Sequence, residues 1–232
     1  MITLYAWPTP NAQKISILLE ELGIKYEAVA VNINKGEQFD PSFLDISPNN
    51  RIPAIVDHAP ADRGGSVSLF ESGAIMLYLA EKESSLLAPM DNFRARSRTL
   101  QWLFWQVGGL GPMAGQAHHF RQEMAGEHVP YGIQRYSNEV RRLYEVMESQ
   151  LEQEEWLGGK EYSIADIACW PWVRPSRRQG IDKKDFPNIK RWFGRISDRP
   201  AVQAGMLLLS EHRGIKSISA EAREILFGKH KA

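Results

Sequence analysis

Two stretches of this sequence set polar side chains where a short apolar run gives way to a helical pattern. In Pro8-Thr9-Pro10-Asn11, Thr9 and Asn11 follow the β-type run Ile2 to Ala6 and precede a helical pattern that stops at Gly23. Their side chains share space with the unpaired N–H groups of a first helical turn, a place that suits an anion. The same residues fit a plain N-cap with Pro10 at the first helical position, the commoner case on local sequence alone. Glu71-Ser72 repeats the arrangement after the run Val67 to Phe70. A carboxylate beside a helix N-terminus is favourable by roughly 0.3 to 1 kcal/mol, so a structural cap again suffices. The chemical alternative is a zwitterion receptor, in which Glu71 takes an ammonium while Ser72 and the backbone amides take the neighbouring carboxylate. Ile52-Pro53 follows the turn-forming Ser47-Pro48-Asn49-Asn50-Arg51. Only about 5 to 6% of X-Pro bonds are cis, so trans is the default. A cis bond would turn the Ile52 backbone outward, where it can pair with an extended peptide as an added strand.

The remaining candidates carry less. His118 and His119 are adjacent, not at the i, i+4 spacing that puts two ligands on one helix face, and no metal site is expected. Gly108-Gly109-Leu110-Gly111-Pro112 follows a Trp-rich helix instead of a strand and reads as a helix end or kink, not a dinucleotide loop. Trp102, Phe104, Trp105, Trp170 and Trp172 read as core, with any that face a cleft available to an apolar substrate. Arg174, Arg177 and Arg178 form a local basic cluster that reads as a solvated face. Ser163-Ile164-Ala165-Asp166 has capping-box spacing, with Asp in place of the usual Glu or Gln.

The elements that must position these residues are legible in outline. Strands are expected over Ile2 to Ala6, residues 26–31, residues 52–56 and Val67 to Phe70, with helices from Pro10 and from Ser72 and a short one near residues 41–45. Beyond residue 83 only helical periodicities remain, chiefly over residues 94–107, 131–155, 164–173 and 188–197. We expect an α+β domain over 1–82, a linker over 83–91, an all-helical domain over 92–211 and a loosely attached tail over 212–232. The 232 residues allow one large domain or two small ones. Lys plus Arg is 28 and Asp plus Glu is 28, so no global field attracts nucleic acid or anionic lipid. At 43% hydrophobic and 24% charged, with no apolar run long enough for a membrane helix, the chain is expected to be soluble and globular. The single cysteine, Cys169, excludes an internal disulfide and a Cys-x-x-Cys redox pair. The start lacks a signal-peptide pattern, and a cytoplasmic location is expected.

Taken together the junctions are more specific than any one of them. The chain resembles a cytosolic glutathione transferase over nearly its whole length, through Ile52-Pro53-Ala54-Ile55-Val56, Leu69-Phe70-Glu71-Ser72-Gly73-Ala74-Ile75, Trp156-Leu157-Gly158-Gly159 and Tyr162-Ser163-Ile164-Ala165-Asp166-Ile167-Ala168. Pro8-Thr9-Pro10-Asn11, Ser47-Pro48-Asn49-Asn50 and the run from Leu100 to Pro112 resemble the bacterial nu class, glutathione-dependent disulfide-bond oxidoreductases related also to the yeast nitrogen-regulation prion protein. The resemblance implies a thioredoxin-like N-terminal domain plus an all-α C-terminal domain, a homodimer and a cis Pro53. It implies that Thr9 and Asn11 face the glutathione sulfur and that Ile52, beside Pro53, pairs with the cysteinyl unit. Glu71 and Ser72 would hold the γ-glutamyl end, Gln38 the glycyl end, and Arg135 would add a basic contact to glutathione. Many family members place Tyr, Ser or Cys beside the sulfur. Here Tyr5 is expected to be buried by strand alternation, so the chemistry rests on hydrogen bonds.

A thiol of pKa about 8.5 is only a few per cent thiolate at pH 7, and the thiolate is the nucleophile. Lowering that pKa by two units takes about 2.7 kcal/mol, within reach of one or two hydrogen bonds to the anion at about 1.5 to 3 kcal/mol each. The expected function is glutathione-dependent reduction of small disulfides, with weak transferase or peroxidase activity beside it. A conventional glutathione S-transferase, with an acceptor pocket near Trp7, Trp105 and Phe120, is the alternative. A non-catalytic glutathione-binding regulatory module is the alternative from another class. No nucleic acid and no membrane are expected as partners.

Overall fold

A computed structural model of the chain describes residues 1–122, 126–212 and 219–228. They divide into two compact units, residues 1–82 with 201–232 and residues 83–200.

In the first unit, β1 (Ile2–Ala6), α1 (Pro10–Glu21) and β2 (Tyr26–Ala30) form a β-α-β crossover. A single turn, α2 (Pro41–Leu44), precedes β3 (Ala54–Asp57), β4 (Val67–Phe70) and α3 (Ser72–Lys82). The four strands lie in the order β2-β1-β3-β4. β2 is parallel to β1, as the intervening helix requires, while β3 runs antiparallel to both β1 and β4. This is the thioredoxin-like sheet. Ile2, Leu4 and Ala6 of β1, Ile15, Leu18 and Leu19 of α1 and Ile75, Met76 and Leu79 of α3 are all buried and form the apolar interior of this unit, with α1 and α3 in contact. Tyr5 is not fully buried: it lies half-exposed against Phe43 at a ring-centroid distance of 6.2 Å.

At the far end of β3 the buried Asp57 accepts from Tyr78 Oη at 2.7 Å, from the Ala59 N–H at 2.9 Å and from the Lys82 ammonium. Burial pushes this carboxyl up, but the hydrogen bonds from Lys82, Ala59 and Tyr78 outweigh it and hold its pKa below the usual range.

The second unit is helical: α4 (Phe93–Trp105), α5 (Gly111–Arg121), α6 (Pro130–Gln153), α7 (Ile164–Val173) and α8 (Pro187–Ser197). Gln106–Leu110 is a π-helical turn, so the glycine run neither ends the helix nor forms a loop; it carries α4 into α5. Among the aromatics expected in the core, Trp170 is buried and stacks on Phe193, whereas Phe104 is 62% exposed. No described helix is long and apolar enough to cross a membrane.

The observed division differs from the expected helical domain to 211 with a loose tail beyond. α9 (Pro200–Gly205) is seated on α1: Ser16 Oγ donates to the Gly205 carbonyl at 2.7 Å. A Cβ on Gly205 would come within 2.6 Å of the Ile17 backbone. His212 stacks on Trp7 with centroids 4.8 Å apart, and α10 (Ala220–Phe227) belongs to the same unit. Residues 213–218 and 229–232 of that tail lie outside the described residues. The expected linker joins the second unit, where the Ile164 N–H donates to the Leu86 carbonyl at 3.0 Å.

Candidate active site

Sheet register collects most of the expected site residues at one end of the first unit. Tyr5 pairs with Ala54 and Ala54 with Phe70, so the C-terminal end of β1, the start of β3 and the end of β4 fall in one row. Thr9 and Asn11 follow the first, Ile52 and Pro53 precede the second, and Glu71 and Ser72 follow the third. Strands lie about 4.8 Å apart, so this row of β1, β3 and β4 spans about 10 Å, the length of three extended residues at about 3.3 Å each.

Each position has its own local cause. Thr9 is the N-cap of α1, with extended backbone (φ −112°, ψ 161°) and Pro10 in the first turn. Its carbonyl accepts from the Gln13 N–H at 3.0 Å, but its side chain makes no cap bond and Oγ1 is buried without a partner. A buried polar atom left unpaired costs roughly 1 to 3 kcal/mol. A hydroxyl re-aims by rotation about χ1, so a bound anion can supply the missing partner. Asn11 stands beside it in the first turn of α1. The Ile52–Pro53 peptide is cis, Pro53 is buried, and the Ile52 main chain makes no hydrogen bond among the described residues. Glu71 is exposed and holds a left-handed φ of 71°, while its carbonyl starts α3 by accepting from the Ile75 N–H at 2.9 Å. Such a backbone in a residue other than glycine costs of order 1 kcal/mol and persists where its surroundings enforce it. Gln38 sits in the 3₁₀ turn Glu37–Phe39, beyond the end of β2; it is buried, with Oε1 unpartnered.

Lys14 escaped sequence reasoning. It is 2% exposed, and its Nζ donates to Ser72 Oγ at 3.2 Å, tying α1 to α3 directly at the site. The available signal was its place four residues before Leu18, on the buried stripe of α1.

Arg135 is not part of this row. It lies exposed on α6 of the second unit, beside a cavity of about 1030 Å³ lined also by Phe104, Trp105, Met113, Tyr131 and Tyr136. Trp7, expected to line an acceptor pocket, is buried under His212 in the first unit, while Phe120 stacks on Tyr136 in the second. Cys169 is fully buried in α7. His118 and His119 are both on α5; burial pushes His118 down to about 4 and keeps it neutral at pH 7. Among the described residues no three His, Cys, Asp or Glu side chains are placed to hold a metal.

Residues 1–81 match the glutathione S-transferase N-terminal domain and residues 133–200 the C-terminal domain. The chain belongs to the glutathione S-transferase family. It is 56% identical to the disulfide-bond oxidoreductase YfcG of Escherichia coli, over 89% of this chain and 95% of that protein. A glutathione transferase family member from Pseudomonas fluorescens, solved with two glutathione bound, superposes with a TM-score of 0.82 at 43% identity, covering 88% of this chain and 92% of that one. A glutathione transferase from Pseudomonas putida, solved with one glutathione disulfide per subunit, gives a TM-score of 0.83 at 42% identity, over 88% and 90% of the two chains.

Proposed function

We propose that this family member reduces disulfides with glutathione, using Thr9, Asn11 and the N-terminus of α1 to stabilise the glutathione thiolate. The observation that carries the reading is the buried, unpartnered Thr9 Oγ1 at the first turn of α1. Cys169 is buried, so both reacting sulfurs of the attacking side come with the ligand. The similarity to YfcG, named a disulfide-bond oxidoreductase, and to a protein crystallised with glutathione disulfide supports it.

In this reading glutathione lies across the row of strand ends. Ile52 pairs with the cysteinyl unit through its main chain, beside the cis Pro53. Glu71 takes the γ-glutamyl ammonium, Ser72 its carboxylate, and Gln38 the glycyl end. Arg135 contributes a further contact to glutathione. The thiolate attacks one sulfur of the substrate disulfide; a glutathione mixed disulfide forms and one thiolate leaves to take a proton from water. A second glutathione thiolate attacks the mixed disulfide, releasing the second substrate thiol and glutathione disulfide. Two thiols are oxidised and one disulfide is reduced, so no outside electron acceptor is needed. The protein works as a cytoplasmic homodimer. The large apolar side chains left exposed on α4 and α6, Phe93, Phe104 and Tyr131, support a second copy as their cover.

Conjugation of apolar electrophiles, with weak peroxidase activity, is the second reading, favoured by the aromatic lining of the α4–α6 cavity. Glutathione-dependent reduction of a model disulfide, run beside an aryl-halide conjugation assay for the wild type, Thr9→Ala and Asn11→Ala, orders the two. Disulfide reduction should dominate and fall in both variants. A wild type that conjugates but does not reduce, or variants as active as the wild type, would sink the first reading.

A further inference from the structure

The balanced charge of the whole chain conceals a concentrated imbalance in the second unit. A cavity of about 480 Å³ is lined by Arg174, Arg177, Arg178, Lys183, Lys184 and Lys190, against a single carboxylate, Asp182. Asp182 already accepts the Lys184 N–H at 3.0 Å, and the local excess is five positive charges. Four other exposed arginines of this unit are in ion pairs: Arg98 with Glu154 at 3.1 Å, Arg142 with Glu139 at 2.6 Å, Arg141 with Glu145 and Asp185 at 3.5 Å, and Arg195 with Glu155. Among the described residues Arg177, Arg178, Lys184 and Lys190 form no ion pair. The arrangement also crowds like charges: burial first, then Arg174 and Arg177, lower the pKa of the half-buried Lys183. Lys183 is nonetheless held in place, with Nζ 3.9 Å from the Phe193 ring centre and 3.4 Å from the Arg174 carbonyl, which it bonds. Five of these six cations are exposed to solvent, so the excess is presented to any anion that enters the cavity.

We propose that this cavity binds a linear di- or triphosphate group. A terminal phosphoryl carries about −1.5 to −2 and each further phosphoryl adds one more, so a triphosphate comes close to neutralising the excess. Arginine forks fit phosphate oxygens in pairs, and the lysines act as point charges around them. No aromatic side chain lines the cavity, and the neighbouring Phe193 is engaged by both Trp170 and Lys183. The site therefore recognises the phosphate chain and not a base. Free inorganic polyphosphate and the tail of a nucleotide share that chemistry.

Calorimetric titration of the full-length protein at about 20 mM salt, where screening is weak, tests this with tripolyphosphate, ATP, adenosine and orthophosphate. Tripolyphosphate should bind at least tenfold tighter than orthophosphate, and adenosine not at all. ATP matching tripolyphosphate identifies the shared tail; ATP failing to bind restricts the site to the inorganic chain. The pair Arg177→Ser with Lys184→Ser should weaken tripolyphosphate at least tenfold while leaving glutathione-dependent disulfide reduction unchanged. The equally charged control, Arg141→Ser with Arg142→Ser, should bind like the wild type. No heat at millimolar tripolyphosphate, equal weakening in the control pair, or a duplex DNA that binds while tripolyphosphate does not would each overturn the proposal.

Discussion

The starts of α1 and α7 are two versions of one device with opposite outcomes. Each opens on a hydroxyl residue in extended backbone, Thr9 in the first unit and Ser163 in the second. At α7 the third helical residue is Asp166. Its carboxylate accepts from the Leu157 N–H at 2.9 Å, Trp192 Nε1 at 2.8 Å, the Ser163 N–H at 3.0 Å and Ser163 Oγ at 3.1 Å, and Ser163 Oγ accepts in turn from the Ala165 N–H at 3.3 Å. At α1 the third helical residue is Ala12, which has nothing to return, and Thr9 Oγ1 is left unpaired. A finished junction stabilises the fold; an unfinished one keeps hydrogen bonds in reserve for a ligand. Breaking each should therefore damage a different property.

The largest effect belongs to the finished junction. Asp166→Ala removes four hydrogen bonds from a fully buried group and leaves their donors unpaired, and should cost about 3 to 5 kcal/mol in denaturant unfolding. A loss under about 1 kcal/mol would mean that α7 does not depend on its cap.

Next in size is the response to pH, where the buried carboxyls of the two units should move in opposite directions. For Asp166 burial outweighs the four hydrogen bonds and pushes the carboxyl up to about 6. Between the unfolded value of about 3.9 and 6 the folded state binds the extra proton. This contribution is full below about pH 3.9 and is lost as pH rises through 6, by up to roughly 3 kcal/mol. Asp57 is held below the usual range, so its contribution is present above about pH 3.9 and disappears as pH falls through its lower folded value. Carbon-13 spectra of labelled aspartate should show Asp166 titrating near 6 and Asp57 titrating below the ordinary aspartate range. Both titrating together would erase the distinction.

The unfinished junction should show the reverse pattern. Thr9→Ala removes a donor to the thiolate, so disulfide reduction should fall about 10- to 100-fold, the worth of one hydrogen bond to a charged acceptor. Its unfolding free energy should change by under about 1 kcal/mol, because Oγ1 stabilises nothing in the free protein. Loss of stability without loss of rate would make Thr9 a cap like Ser163.

Much of this contrast was legible in the residues themselves. Asp at position 166 spells a reciprocal cap and Ala at position 12 does not, so the finished junction was readable as such. The strands, the helix at Ser72 and the change to all-helical character near 83 followed from periodicity and turn residues, because those signals are local. Three features were not local. The seat of α9 on α1 depends on Gly205 meeting Ile17, residues far apart in the chain. The passage of Gly108 to Leu110 through a π turn depends on packing around the helix, where glycine's own preference pointed to a break. A net excess of five positive charges gathers in one cavity because Arg174, Arg177 and Arg178 meet Lys183 and Lys184 of the next turn and Lys190 of α8, whereas the total over the chain is zero.

The smallest effect expected is at Lys14, which joins the two helix starts of the first unit. Its ammonium donates to Ser72 Oγ, so the serine's own proton is left for a partner outside the protein. A carboxylate held by Ser72 would accept that proton, and the lysine acts on it through the serine. Lys14→Met keeps the length of the side chain and replaces a buried charge with a buried thioether, a change the core tolerates. The Ser72 hydroxyl then loses the donor that orients it. KM for glutathione should rise about two- to fivefold, under about 1 kcal/mol, with kcat nearly unchanged, since the bond concerns the γ-glutamyl end and not the sulfur. Lys14→Arg, which can restore a donor, should recover part of the affinity. A fall in kcat at constant KM would instead place Lys14 with Thr9, acting on the thiolate.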